Sequence, residues 1–191
     1  IARDSGLVDF AGRDIAQWKS KELAKRLAIL TQSNHIEMKL TVRELVTFGR
    51  FPYSGSRVTQ EDQAIIDQAI AYMELEDFQD RFLDELSGGQ RQRLSIARAL
   101  ARKAPIYIFD DSFSALDFKT DAALRKALAA ETQDAAVLII AQRVSSIRHA
   151  HQIVVLDEGA VAGIGTHEEL METCTVYQEI YESQTKEAQE A

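Results

Sequence analysis

The feature that most constrains this chain is a Ser-Gly-Gly-Gln tetrapeptide at residues 87–90, set directly before a run of helix-forming residues. Ser87 and Gln90 have the spacing of a capping box, which predicts that a helix begins here. Apolar residues then recur at helical spacing, at Leu94, Ala97, Leu100 and Ala101. The first turn would present backbone N–H groups, two glycines and the positive end of a helix dipole. We therefore expect an anion site, and a phosphate as its anion.

A helix cap and a turn would explain this tetrapeptide if it stood alone, but the flanking residues favour a different interpretation. Leu86 precedes it, and Arg-Gln-Arg at 91–93 and Ala-Arg-Ala-Leu at 97–100 follow it. Leu-Ser-Gly-Gly-Gln in this setting resembles the signature motif of the ATP-binding cassette (ABC) family. Further along, Ile-Tyr-Ile-Phe-Asp-Asp at 106–111 resembles that family's Walker B strand. Two motifs in this order and at this distance make the resemblance specific, and it covers nearly the whole chain.

Size and composition exclude several classes of protein. At 191 residues, 46% hydrophobic and 27% charged, the chain has the composition of one globular domain. Its net charge of −8 argues against a nucleic-acid partner, because the one dense basic cluster follows the signature motif and suits a solvated helix face. A single cysteine, Cys174, excludes an internal disulfide and fits a reducing compartment. The longest apolar run, residues 135–141, is too short to cross a membrane, so membrane association would need a partner chain.

Hydrophobic patterns and turn residues predict the remaining elements. We expect strands at 7–10, 27–30, 136–141, 153–156 and 161–164. We expect helices at 20–26, 41–48, 59–76, 119–131, 166–169 and 176–181, with a loop at 52–55. The histidines show no metal-ligand spacing and are all expected at the surface, at His35, His149, His151 and His167.

The resemblance implies an α/β fold. This would be a partial RecA-like P-loop NTPase core, a mostly parallel sheet with flanking helices, with an inserted helical subdomain. We expect one ABC ATPase domain over 1–191, with the helical signature subdomain at 41–102 and the Walker B, D-loop and switch part of the core at 103–191. In the family, the helical subdomain docks on a transmembrane partner.

The phosphate-binding P-loop (Walker A) of the family is not found in these residues. No G-x-x-x-x-G-K-[ST] sequence occurs in the 191 residues, nor does the upstream aromatic residue that stacks on adenine. We therefore expect the chain alone to bind ATP weakly or not at all. Its sheet should also expose unpaired strand edges.

The resemblance assigns nucleotide and metal roles to further residues. Gln32 lies where the family has its Q-loop glutamine, which contacts Mg²⁺, and Asp110 would hold Mg²⁺ at the end of the Walker B strand. Asp117, in Ser-Ala-Leu-Asp, matches the D-loop, which crosses the dimer interface. Ser87, Gly88 and Gly89 would contact the γ-phosphate of an ATP held by a second nucleotide-binding domain, and Gln90 completes this nucleotide-binding signature.

Two catalytic positions depart from the family's pattern. Asp111 stands where a glutamate normally orients the attacking water, and one methylene fewer withdraws the carboxylate by about 1.5 Å. A displacement of about 1 Å can cost on the order of 10²-fold in rate. Gln142 replaces the switch histidine, and its amide can hydrogen-bond a γ-phosphate but cannot carry a charge or a proton. Both changes predict a degenerate site that binds ATP longer than it hydrolyses it.

The two halves of the chain resemble different members of the family. Residues 1–85, including Phe-Gly-Arg-Phe-Pro-Tyr at 48–53, resemble iron–siderophore importer ATPases. From residue 91 onward the sequence resembles the degenerate-site subunit of heterodimeric multidrug exporters. One hypothesis is a hybrid chain, joined near the signature helix.

The sequence thus predicts an ABC-type ATPase whose hydrolysis powers a membrane transporter at the cytoplasmic face of the cell membrane. Its cofactors would be ATP and Mg²⁺, and its partners a second nucleotide-binding domain (homo- or heterodimer) and transmembrane domains. The alternatives are a catalytically silent interaction module, a hybrid fragment, and a DNA-repair or chromosome-organising ATPase. The last is disfavoured by the acidic charge balance and the absence of long coiled-coil heptads.

Overall fold

A computed structural model describes residues 5–31, 39–111, 128–129 and 132–190 of the chain. The chain divides into two compact units. The first holds Ile1–Phe109 and Ala115–Leu138, and the second holds Asp110–Ser114 and Ile139–Ala191. The predicted helix at 119–131 lies almost wholly outside the described residues.

The first unit opens with a small hairpin and a helix. Strands β1 (Asp9–Phe10) and β2 (Arg13–Asp14) pair antiparallel. Helix α1 (Ser20–Arg26) leads directly into strand β3 (Leu27–Leu30), as predicted. Three of the four residues of β3 are buried, which accounts for its continuous apolar sequence.

The described residues between β3 and the next core strand, from 39 to 105, are mainly helical. The helices are α2 (Val42–Thr47), α3 (Phe51–Ser54), α4 (Gln60–Tyr72) and α5 (Gly88–Ala101), with short 3₁₀ turns between them. A capping box opens α2 at Thr41, α4 at Thr59 and α5 at Ser87. The cap chemistry in the sequence therefore places these three starts correctly.

Two predicted boundaries in this segment are wrong. Helix α4 ends at Tyr72 and not at residue 76, because Glu74 adopts a left-handed conformation with φ of 52°. The apolar pattern nevertheless continues through Met73 and Leu75, which are both buried, and this made the helix look longer. The predicted loop at 52–55 is instead the short helix α3, with Pro52 in its first turn.

A buried ion pair fixes α4 against the turn before α3. Arg50 Nε donates to Asp62 Oδ1 at 2.7 Å, and Arg50 Nη1 donates to the Ala101 carbonyl at 3.1 Å. Both charged side chains are almost fully buried. Burial alone would raise the pKa of Asp62, but hydrogen bonds from Arg50 and Thr59 hold that pKa well below its ordinary value.

The core sheet has three described strands in the order β3-β4-β5. Strand β4 (Ile106–Asp110) pairs parallel with β3, with Leu27 opposite Ile106, and β5 (Ala136–Ile140) lies on the other side of β4. The predicted α/β class, with a parallel sheet and flanking helices, is confirmed.

The second unit packs a hairpin against two helices. Strands β6 (Ile153–Asp157) and β7 (Ala160–Gly165) are antiparallel and turn at Glu158 and Gly159, both with positive φ. Helices α6 (His167–Thr173) and α7 (Thr175–Glu190) follow. The core of this unit is formed by Val144, Ile153, Val155, Leu170, Cys174 and Tyr177.

The prediction that every histidine lies at the surface is wrong for one of them. His167 is buried, and its Nδ1 lies 2.9 Å from the Tyr177 hydroxyl. This hydrogen bond satisfies the imidazole inside the core. His149 and His151 are exposed as predicted, and His35 lies outside the described residues.

Candidate functional site

The signature segment forms the start of α5 through a complete capping box. The Gln90 N–H donates to Ser87 Oγ at 3.3 Å, and the Ser87 N–H donates to Gln90 Oε1 at 2.8 Å. Ser87 has extended backbone, with φ of −65° and ψ of 164°. The helix therefore begins at Gly88, as predicted from the spacing.

The two signature glycines are not required by the fold. A Cβ added to Gly88 or Gly89 would meet no atom within 4 Å, and neither residue has a positive φ. Gly49 shows the contrast, because a Cβ there would lie 2.5 Å from the Arg98 carbonyl oxygen. Neither crowding nor backbone conformation thus explains Gly88 and Gly89. Their effect is to leave the backbone N–H groups of the first turn open to an approaching anion.

The rest of α5 is anchored in the helical core. Its apolar positions are buried at Leu94, Ile96, Ala97, Ala99, Leu100 and Ala101. Arg93 Nη1 donates to the Met73 carbonyl at 3.3 Å, at the end of α4. Burial and the neighbouring Arg102 both lower the pKa of Arg98, so this arginine is not part of a fully solvated face. The open first turn therefore belongs to a helix whose apolar face is buried in the helical core.

The acidic pair lies at the end of β4. Asp110 is the last residue of the strand and is half-buried. Asp111 then takes a left-handed conformation, with φ of 46°, and its N–H donates to the Ile140 carbonyl at 2.9 Å. Aspartate is among the non-glycine residues that tolerate this conformation. The turn brings Asp111 next to the end of β5.

The two positions that depart from the family's pattern touch each other. Gln142 Nε2 donates to Asp111 Oδ2 at 2.9 Å. Gln142 is exposed and Asp111 half-buried, so this hydrogen bond lies at the surface of the second unit. The structure thus brings together the two predicted catalytic residues.

One residue that contacts the main chain of Gln142 and Val144 was not identified from the sequence. Gln184, on α7, donates through Nε2 to the Gln142 carbonyl at 2.7 Å. Its Oε1 accepts from the Val144 N–H at 2.9 Å. No local pattern marks a glutamine in a polar helix as a contact of residues about forty positions earlier.

The structure gives less information on the other predicted site residues and on the predicted metal site. Gln32 and Asp117 lie outside the described residues. Within the ranges that the structure describes, no cluster of three or more His, Cys, Asp or Glu side chains could hold a metal ion. Mg²⁺ commonly binds through one or two carboxylates together with waters and substrate phosphates. The single Asp110 carboxylate at the strand end fits a Mg²⁺ ion that arrives with a nucleotide.

A profile of the ABC transporter family matches residues 1–114, which include the signature and Asp110. The chain belongs to the ABC transporter family. Its curated relatives in that family include the petrobactin import ATP-binding protein YclP of Bacillus subtilis (strain 168), which is 42% identical over 95% of this chain and 73% of the relative. The petrobactin import ATP-binding protein FatE of Bacillus anthracis is 38% identical over 94% of this chain and 73% of the relative.

A lipid flippase and an ABC exporter are also similar to this chain. The ATP-dependent lipid A-core flippase of Haemophilus ducreyi (strain 35000HP / ATCC 700724) is 33% identical over 96% of this chain. A bacterial Atm1-family ABC exporter, solved with ATP bound, superposes with a TM-score of 0.80 at 29% identity over 91% of this chain. The chain spans only about a third of both proteins, 32% and 31% respectively.

These comparisons confirm the predicted family, and the chain is an ATPase component of an ABC transporter that powers import or export. Importer and flippase relatives both align across at least 94% of the chain, so each alignment runs through α5. In the described part of the chain, no helix has both the length and the apolar character needed to span a bilayer.

Proposed function

We propose that this chain is a nucleotide-binding subunit that lends its signature to the ATP site of a second nucleotide-binding domain, while its own site is degenerate. The observation that carries the proposal is the open pair Gly88 and Gly89, which the fold does not require. The cofactors would be ATP and Mg²⁺. The further partners would be transmembrane domains, which would hold this chain at the cytoplasmic face of the cell membrane.

The chemistry of the signature suits a terminal phosphate. The Ser87 hydroxyl accepts the capping hydrogen bond and keeps its own hydrogen to donate. The N–H groups of Gly88 and Gly89 lie at the positive end of a helix of 14 residues. Donors of this kind stabilise the charge that spreads over a transferring phosphoryl group. Gln90 supports them by closing the cap.

The residues at this chain's own ATP site favour slow hydrolysis. The shorter Asp111 carboxylate would stand back from the attacking water by about 1.5 Å, a single carbon–carbon bond. One of its oxygens already accepts a hydrogen bond from Gln142. Because the Gln142 amide cannot take up a proton, the pair has one group fewer for proton transfer than a carboxylate–histidine pair. Nucleotide held here would therefore be retained longer than it is hydrolysed.

The relatives favour one direction of transport. The two relatives named for petrobactin import are 42% and 38% identical to this chain, whereas the lipid A-core flippases are 33–35% identical. We infer import, with a petrobactin-like compound as the cargo class. The hybrid origin stays a hypothesis, and one continuous natural reading frame with this sequence would remove it.

Single-turnover ATP hydrolysis tests the proposal. The chain is assembled with a complete nucleotide-binding domain that carries its own P-loop. A Ser87→Arg substitution places a bulky side chain at the first turn of α5 and should abolish hydrolysis at the partner's site. Thr166→Arg, which removes an equivalent cap from α6, should leave it unchanged. Full activity with Ser87→Arg would contradict the donation of the signature.

A second measurement separates this subunit from a silent interaction module. With a P-loop sequence restored to this chain, a degenerate ATPase should hydrolyse ATP slowly at its own site. A silent module would show none. Salt-sensitive DNA binding would instead support the DNA-repair alternative.

A further inference from the structure

The C-terminal helix contacts the backbone next to the degenerate site through one side chain. The Gln184 amide spans two main-chain groups, donating to the Gln142 carbonyl at 2.7 Å and accepting from the Val144 N–H at 2.9 Å. Both distances are those of good hydrogen bonds. The amide therefore bridges the main chain on both sides of Arg143.

The bridged segment carries the residue that contacts Asp111. Gln142 lies two residues after the end of β5, and its side chain donates to Asp111 Oδ2 at 2.9 Å. On the other side, Val144 is buried in the core of the second unit. Gln142 thus joins two hydrogen bonds: its main-chain carbonyl accepts from Gln184, and its side chain donates to the Asp111 carboxylate.

A primary amide suits this bridge. The side chain must donate one hydrogen bond and accept another, which Gln does with its NH₂ and its carbonyl oxygen. A glutamate could accept from Val144 but not donate to Gln142 when ionised. An alanine could do neither. Gln178 provides a comparison on the same helix, because its Nε2 donates to the Met171 carbonyl at 2.7 Å, away from the site.

We propose that Gln184 is a positioning residue, which holds the main chain at residues 142–144 so that Gln142 keeps its hydrogen bond to Asp111. That Gln184 thereby influences nucleotide turnover rests on the function proposed above. Its effect on the position of residues 142–144 does not. Through this residue the last helix of the chain acts on the acidic end of β4. Removal of the Gln184 amide should therefore weaken the hydrogen bond between Gln142 and Asp111.

Nuclear magnetic resonance of the full 191-residue chain, without nucleotide, tests the positioning directly. Two signals are followed: hydrogen exchange of the Val144 backbone amide, and the side-chain amide resonances of Gln142. Asp111→Ala gives the reference for a Gln142 side chain that has lost its acceptor. In Gln184→Ala, Val144 should exchange at least about tenfold faster, and the Gln142 side-chain signals should move toward that reference.

Two further variants separate positioning from a general loss of stability. Gln178→Ala should lower the unfolding midpoint as much as Gln184→Ala does, but leave the Val144 and Gln142 signals unchanged. Gln184→Glu should keep Val144 protected while the Gln142 signals still move. The proposal would be overturned if Gln184→Ala and Gln178→Ala destabilised the chain equally and neither changed the Gln142 signals. That result would not touch the signature proposal, which the Ser87→Arg experiment decides independently.

Discussion

The side-chain amide of Gln142 donates a hydrogen bond to Oδ2 of Asp111 across 2.9 Å, between the ends of two neighbouring strands. The two residues lie 31 positions apart, and each was predicted separately to depart from the ABC pattern. Their contact makes the two changes a single feature. In the proposed site, the shorter carboxylate accepts a hydrogen bond from an amide that cannot take up a proton.

Lengthening the acidic side chain should restore hydrolysis. In a version of the chain completed with a P-loop, Asp111→Glu together with Gln142→His is expected to raise single-turnover hydrolysis on the order of 10²-fold. The glutamate regains the lost methylene and the histidine adds a group that can take up a proton. Asp111→Asn should lower the residual rate. A double variant no faster than the parent would show that the site is limited by something else.

Substitution by alanine should destabilise the fold at Gly49 but not at Gly88. Gly49→Ala is expected to destabilise the fold by about 1–3 kcal/mol, because its Cβ would overlap the Arg98 carbonyl. Gly88→Ala should change stability by no more than about 0.5 kcal/mol, since the added methyl group meets no neighbour. Denaturant unfolding of both variants gives the comparison. A large loss in Gly88→Ala would mean that this glycine has a structural role.

Much of the local structure was predictable because its causes are local. Thr41, Ser87 and Thr166 each close a capping box with a residue three positions later, and all three helices begin where that chemistry places them. Strand β3 was predicted from a continuous apolar run, which suits a strand buried between other elements, and β4 from its resemblance to the Walker B strand.

The rest depended on contacts between distant parts of the chain. The Asp111–Gln142 hydrogen bond follows from the order of strands in the sheet, which no short pattern encodes. His167 was misplaced because its partner, the Tyr177 hydroxyl, belongs to a different helix. Gln184 was missed for the same reason, since its contacts cross about forty residues.

The buried ion pair in the helical segment predicts a specific pH dependence. The folded-state pKa of Asp62 lies below its ordinary value of 3.8, so its ionised form stabilises the fold above about pH 4. This contribution is lost as the pH falls from there toward the folded-state pKa. Asp62→Asn should cost about 3–5 kcal/mol at pH 7, because Arg50 would remain buried without its partner, and less at pH 3.

A surface pair provides the control for that measurement. Asp67 pairs with Arg43, and both side chains are well exposed to solvent. Asp67→Asn should therefore cost less than about 1 kcal/mol at pH 7. Unfolding free energies of both variants, measured by denaturant titration at the two pH values, decide the question. Equal costs for the two substitutions would contradict the special role of the buried pair.

The hairpin of the second unit should make the isolated chain prone to association. Leu156 is 65% exposed on β6, next to other exposed apolar residues, whereas the adjacent Val155 is buried at 5%. Leu156→Lys is expected to reduce binding of a hydrophobic dye and self-association without loss of stability. Val155→Lys should unfold the unit, because it places a charge in the core. Unchanged dye binding in Leu156→Lys would show that this face is not the exposed apolar surface in solution.

Equilibrium Mg-ATP binding tests the donated signature most directly. Binding is measured for the 191-residue chain, for a complete nucleotide-binding domain, and for their mixture. We predict no binding to the chain alone up to millimolar ATP, and a mixture that binds ATP about tenfold more tightly than the complete domain alone. With Ser87→Arg, the mixture should bind no better than the complete domain. Micromolar binding by the chain alone would show that another loop takes the place of the P-loop. A Ser87→Arg mixture that binds as tightly as the unsubstituted one would contradict a subunit that lends its signature.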